Sequence, residues 1–366
     1  MEKMGKKTLR LAAVGDLLLT SPDGETPGRG IEALSDDIID LFKSCDIVFA
    51  NLECTLPGSE KINTEPRVLS SETQIRTLSD SGINIVSLGN NHTFDCFDEG
   101  FLKLGALLND MGIRWAGAGM NLEEALNAPI LEINGIKLAF LCVVDPSSGM
   151  YRFAGKDSSG VAPLETKAVC NIIKRLKQNS DHVIVSPHWG MERFRIPSLM
   201  QIEQAKEFVD AGASMVLGHH PHVLQGMEFY REAPVVYSLG NFIANTVYWT
   251  SGNHLTWNRF ESTGCIFLAE MDSTAVYNAR QVPVFDDGKR VTLDQTGWGE
   301  ACLNKVNHLL KKGVTEKRYR REAFYVATVK PILSHLRWAK FKQIRPMHFI
   351  KLVRHLYRSI FSQKGR

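Results

Sequence analysis

Short apolar runs alternate with longer amphipathic stretches along the first three hundred residues. The runs 9–14 (LRLAAV), 46–50 (DIVFA), 83–88 (INIVSL), 137–144 (KLAFLCVV), 182–187 (HVIVSP), 214–218 (SMVLG) and 234–240 (PVVYSLG) have the length and composition of buried strands. Between them, 31–44, 72–81, 97–111, 165–178 and 198–211 place apolar residues at helical spacing. Strands alternating with helices predict a layered α/β fold. Asn134-Gly135, between two apolar runs, signals a tight hairpin, so the sheets are expected to be mixed rather than purely parallel. No internal repeat or low-complexity linker interrupts this pattern.

From about residue 303 the pattern becomes purely helical. Pro331 suits a first helical turn, and apolar residues at 332, 333, 336 and 344, then at 349, 352, 353, 356 and 360, form stripes. Lys351, Arg354 and Arg358 fall mostly on the opposite side. The expected organisation is a body over 8–300 followed by a basic amphipathic helical region over 303–366.

Charge sharpens that division. The net charge of +3 conceals a tail (303–366) with 17 Lys/Arg and two acids, and a body with 26 basic and 38 acidic residues. An acidic body with a basic tail suggests two different jobs. Trp338, Phe341, Phe349, Tyr357 and Phe361 accompany the tail's charge, which favours peripheral contact with an anionic membrane. The plain alternative is a solvated helix face packed on its own acidic body. Nucleic acid is disfavoured, because no base-reading motif accompanies the charge.

The seven cysteines are scattered and form no CxxC, which argues against a disulfide framework or a structural zinc cluster. The N-terminal basic residues precede an apolar run that Gly15-Asp16 interrupts, too early for a secretion signal. No apolar stretch has the length needed to span a bilayer. The expected location is therefore cytoplasmic, peripheral to the inner face of the membrane.

Several of the predicted strands end in polar residues of metal-binding type. Gly15-Asp16 follows the first, Asn51 and Glu53 the second, and Asn90, Asn91, His92 and Asp95 the third. His188 and Glu192 follow the fifth, and His219, His220 and His222 the sixth. In open α/β sheets the carboxyl ends of strands form the edge where ligands bind, so these residues are expected to meet. Taken singly each has a bland reading: a turn at Gly15-Asp16, an Asn-rich turn at 90–91, a packed imidazole at His188. Their recurrence at five strand ends favours a metal site. Carboxylate, amide oxygen and imidazole together suit Zn²⁺, Mn²⁺ or Fe²⁺ better than Ca²⁺. Pro221 biases His220 toward extended backbone, so His220 and His222 are expected to point the same way, with His219 turned aside.

The motifs AVGDLLL, DIVFANLECTL, GINIVSLGNNHTFDCFDEG, SPHWGMERFRIPS, DAGASMVLGHHPHVLQG and VVYSLGNFI, spread over residues 8 to 245, resemble the CapA, or poly-γ-glutamate capsule-synthesis, family. That family is similar to the calcineurin-like metallophosphoesterases. The resemblance implies a four-layer α/β/β/α sandwich with mixed sheets and a metal site at the strand ends. It implies Asp16, Glu53, Asn91, His188, His220 and His222 as ligands of one or two divalent ions, with Glu53 bridging. It implies His92 as the catalytic histidine; Asp95, three residues on, is placed to orient that imidazole. His219, Glu192 and Asn241 are weaker supporting candidates. Two motifs depart from the metallophosphoesterase pattern: Leu18 stands where Asp-x-His has its histidine, and Asn51-Leu52-Glu53 replaces Gly-Asp. An altered ligand set implies one ion held firmly and a second weakly.

The function expected from this is a metal-dependent hydrolase of a phosphoester or amide-like bond in capsule or exopolymer synthesis. Its substrate would be an anionic polymer, a peptide or a phosphoester. His92 would protonate the leaving group. Two alternatives use the same site differently: peptide epimerisation by removal of a Cα proton, and a metal-stabilised scaffold with no chemistry.

Overall fold

The computed structural model describes residues 7–62 and 65–330, so the helical stripes expected beyond residue 330 lie outside the described residues. The chain first lays down four parallel strands, β1 (Leu9–Leu18), β2 (Ile47–Leu52), β3 (Ile85–Ser87) and β4 (Arg114–Ala116). It then builds a second sheet from β5 (Ile130–Ile133), β6 (Ile136–Val144), β7 (His182–His188), β8 (Met215–Leu217), β9 (Met227–Tyr230) and β10 (Ala233–Val236). The second sheet runs in the order β9-β10-β8-β7-β6-β5. Asn134 and Gly135 close the β5–β6 hairpin, both at positive φ as a tight turn of this kind requires.

The chain returns to the first sheet with β11 (Asn241–Ala244), which pairs parallel to β1. The strands β12 (Thr263–Met271), β13 (Val276–Asp286) and β14 (Val291–Leu293) complete it on the antiparallel side of β1. Both sheets are therefore mixed.

Alternation along the strands sorts side chains into three apolar layers. Ala12 and Val14 of β1 and Val48 and Ala50 of β2 pack with Ile38 and Phe42 of helix α1 (Asp36–Lys43) and Phe101, Leu104 and Leu108 of α2 (Phe97–Asp110). Leu9, Leu11, Ile47 and Phe49 face the other way, against Leu138, Phe140, Ile184 and Leu217 of the second sheet. The outer face of that sheet, with Leu141, Val143, Val183 and Val185, is covered by Val169 and Ile173 of α3 (Thr166–Leu176) and Phe208 of α4 (Leu199–Ala211). Helix, sheet, sheet, helix is the expected four-layer order.

Helix α5 (Trp298–Lys311) joins the same body, with Leu303 and Val306 in the layer between the sheets. The boundary expected at 303 falls inside this helix, and the chain divides into compact units at Val314/Thr315. In the second unit, Thr315 caps α6 (Glu316–Phe324), which buries none of its residues and runs into a π-helical turn at Tyr325–Val329. Among the described residues no helix is long and apolar enough to cross a membrane.

Candidate metal centre

Five strand ends converge on one buried cluster. Gly15 lets β1 approach the 238–241 segment, since a Cβ there would collide with the carbonyl of Gly240. The next residue's amide, Asp16 N, then donates to that carbonyl at 2.9 Å, and the register of β1 with β11 shifts between Asp16 and Leu17. Asp16 lies opposite Asn51 on β2. Just past the end of β2, Glu53 N donates to Leu17 O at 3.0 Å. His188 is the last residue of β7, and His219 N donates to Pro187 O at 3.0 Å, which docks the 219–222 turn beside it.

The side chains of the cluster meet closely. Two groups, Glu53–His188–His220 and Asp16–Glu53–His222, each bring their ligand atoms within 4.8 Å of one another, and Glu53 belongs to both. Glu53 Oε1 lies 3.5 Å from His222 Nε2 and 4.0 Å from His188 Nε2. All five residues are buried, and Glu53 Oε1 and His220 Nδ1 have no hydrogen-bond partner. Orphaned buried polar atoms call for an explanation, and a divalent cation among oxygen and imidazole donors supplies one. The donor set therefore suits a metal ion.

The surrounding contacts fix ring orientations. His222 Nδ1 lies 2.9 Å from Asn241 Oδ1, and Asn241 Nδ2 donates to Glu261 O at 3.0 Å, which orients the amide and leaves His222 Nε2 for a ligand. Asn91 Oδ1 lies 2.8 Å from His188 Nε2, so the amide sits against the first group. At the margin, His92 Nδ1 lies 2.8 Å from Asp95 Oδ2, and Val68 N donates to the same oxygen at 2.8 Å.

The electrostatics are those of a site built for a cation. Burial pushes the Glu53 carboxyl upward, Asp16 adds to this, and His222 opposes it. Burial also works against charge on Asp16, but hydrogen bonds and charge from His219 and His222 hold it well below the usual carboxylate range. Burial and the neighbouring histidines depress His188, and burial with His222 lowers His220 to about 4, so both are neutral donors at pH 7. His222 moves the other way: burial lowers it, but Glu53 and Asp16 more than offset that. For His92, burial is likewise outweighed by the charge and hydrogen bond of Asp95, and its pKa rises.

The structure brings together Asp16, Glu53, Asn91, His188, His220 and His222, with His92 and Asp95 paired beside them. It corrects the route by which the 219–222 turn delivers its histidines. His220 is at φ +94° and His222 at φ +56°, so neither is extended and strand alternation does not align them. His219 is not turned aside: its Nδ1 lies 3.2 Å from Asp16 Oδ1. The left-handed backbone of a tight turn replaces the alternation that Pro221 suggests. Glu192 lies near enough to His222, Arg193 and His92 for their charge to lower its pKa despite burial. Sequence reasoning placed Asn51 among the polar strand-end residues without assigning it a ligand or catalytic role, whereas it bonds to both carboxylates. It did not single out Trp257, whose ring packs 5.3 Å from that of His222. Asn51 stands two residues before Glu53 at a strand end, a spacing that places both on one side. Trp257 lies in an irregular loop and carries no such signal.

The family model described as bacterial capsule synthesis protein PGA_cap matches residues 10–246. The capsule biosynthesis protein CapA of Bacillus anthracis is 29% identical over 245 residues, covering 64% of this chain and 59% of the relative. The PGA biosynthesis protein CapA of Bacillus subtilis (strain 168) is 28% identical over 240 residues, covering 64% and 63%. The chain thus spans about three fifths of the length of these relatives. Similar solved structures include a hypothetical protein from Thermus thermophilus (16% identity, TM-score 0.46, covering 75% of this chain and 98% of that one). Another is the NAD nucleotidase of Haemophilus influenzae (13% identity, TM-score 0.46, covering 89% and 60%). Because the family match runs from β1 through Asn241 and so takes in every residue of the cluster, the chain belongs to the bacterial capsule synthesis family PGA_cap.

Proposed function

We propose that this protein is a metal-dependent hydrolase that cleaves an amide-like or phosphoester bond in the synthesis of a capsular polymer. The observation that carries the reading is Glu53, a buried carboxylate shared by two adjacent ligand groups and holding one oxygen without a hydrogen-bond donor. Asp16, Glu53, Asn91, His188, His220 and His222 would hold one or two ions, with manganese, zinc or iron best matched to the donors. Such an ion would supply Lewis-acid polarisation of the scissile carbonyl or phosphoryl oxygen and acidify water.

The protein's own residues supply the proton. Asp95 Oδ2, held by Val68 N, fixes the His92 ring through Nδ1 and stabilises its charged form, leaving Nε2 to donate to a leaving group. His92 keeps 13% of its side chain exposed, so substrate can reach it, while Asp16, Glu53, His188, His220 and His222 lie deeper. The names of the Bacillus relatives support a polymer context, with γ-linked glutamate as the first substrate to try.

The test incubates the manganese-loaded full chain with γ-linked glutamate oligomers and with aryl phosphate esters in deuterated water. New amine ends or released phosphate are expected. Deuterium at Cα in oligomers of unchanged length would replace hydrolysis by epimerisation. No turnover of either substrate class, with metal bound, would favour the scaffold role.

A further inference from the structure

Asn51 sits at the centre of the cluster, fully buried, and nothing in the reaction above uses it. Its Nδ2 donates to Asp16 Oδ1 at 2.8 Å and to Glu53 Oε2 at 3.2 Å, and lies 3.5 Å from His188 Nδ1. The opposite amide orientation would press Oδ1 against two carboxylate oxygens, so the surroundings fix which end faces them. The consequence is a choice among four carboxylate oxygens. With Asp16 Oδ1 and Glu53 Oε2 engaged by Asn51, two oxygens do not touch it: Asp16 Oδ2, which accepts from His220 N at 3.4 Å and lies 3.3 Å from His222 Nδ1, and Glu53 Oε1. Glu53 Oε1 is also the one carboxylate oxygen of the pair with no hydrogen-bond partner.

We propose that Asn51 is a positioning residue that selects Glu53 Oε1 and Asp16 Oδ2 as the ligand atoms and so sets two cation positions side by side. The neutral amide does what a third carboxylate would not: it holds two like charges in place without adding another. It also reaches the turn that carries His92. Asn90 Nδ2 donates to Asn51 Oδ1 at 3.4 Å and to Leu52 O at 2.8 Å, while Asn90 Oδ1 accepts from His92 N at 3.1 Å and Thr93 Oγ1 at 3.0 Å. One pair of amides thus ties the carboxylates to the proton donor's backbone. This inference rests on the metal reading above.

The test titrates the metal-free full chain with Mn²⁺ and follows binding and spin coupling by electron paramagnetic resonance, for wild type and Asn51→Leu. Wild type is expected to give the multiline spectrum of a coupled pair. Asn51→Leu is expected to bind about ten- to a hundredfold more weakly, as loss of a ligand-orienting partner does, and to show isolated ions only. Circular dichroism of the metal-free variants establishes folding; if the leucine variant does not fold, Asn51→Ser, smaller but still a donor, takes its place with a partial loss. Wild-type affinity and a coupled spectrum in the folded variant would overturn the role of Asn51 while leaving the metal site standing. A wild type that takes up no Mn²⁺ would overturn both.

Discussion

His92 is the residue whose removal separates chemistry from architecture. It pairs with Asp95 across one turn and is not among the side chains that form either ligand group. His92→Ala is therefore expected to lower turnover by about 10²- to 10⁴-fold, the usual worth of a positioned general acid, with metal content unchanged. Asp95→Asn, which keeps the shape and removes the charge, is expected to fall between wild type and that variant. Equal metal loss in His92→Ala would instead make it a ligand. At this scale the sequence displays residue types and spacings well. An imidazole three residues before a carboxylate, and His-x-His at a strand end, are legible as such. The backbone that aims them is not: His220 and His222 take positive φ in a segment that His219 docks against β7, and Asn51 acquires its partners only when β1 and β2 lie side by side.

Among the elements, β1 does most to position the site. Gly15 stands where the strand meets the carbonyl of Gly240, and Asp16 depends on that approach for its backbone bond. Gly15→Ala would force the two segments apart. A cost of about 1–3 kcal/mol, typical of overpacking, is expected as a lowered urea midpoint of the metal-free protein. It should be accompanied by weakened metal uptake, because Asp16 moves with the strand; an unchanged midpoint and unchanged uptake would contradict this. All seven strands expected from apolar runs are present, since each is buried and its apolar run is continuous. Of those not expected, β12 (Thr263–Met271) is long and almost wholly buried, with a continuous apolar run over 265–269, while the others are short or half exposed. β4 has three residues beginning with exposed Arg114, and β13 carries Asn278, Arg280, Gln281 and Pro283 and leaves most of its residues incompletely covered. The helices expected over 31–44 and 72–81 each divide into an α-helix and a 3-10 turn, because Ser35 takes an extended backbone before α1 and the chain tightens at Thr77.

Across the whole molecule, charge is divided more sharply than the net value reveals. Residues 315–366 hold 14 Lys/Arg and two acids. In the described part of this segment, Lys317, Arg320 and Arg321 stand beside exposed Phe324 and Tyr325. The full chain is expected to co-sediment with phosphatidylserine vesicles at low salt and to be released as salt rises, whereas a chain ending at Val314 stays in the supernatant. Equal sedimentation of the two would sink membrane recruitment by this segment. The layered architecture was legible because alternation of strands and helices determines which faces must be covered. Convergence of the strand ends was legible for the same reason.

The central claim is that the convergence holds metal. Its most direct test is metal content per chain by plasma mass spectrometry, on wild type and on the His220→Ala/His222→Ala double variant, after reconstitution with manganese, zinc or iron. A shared Glu53 predicts about two ions in wild type, falling to one or none in the variant. A wild type that stays metal-free after reconstitution, or a double variant that keeps the full complement, would contradict it.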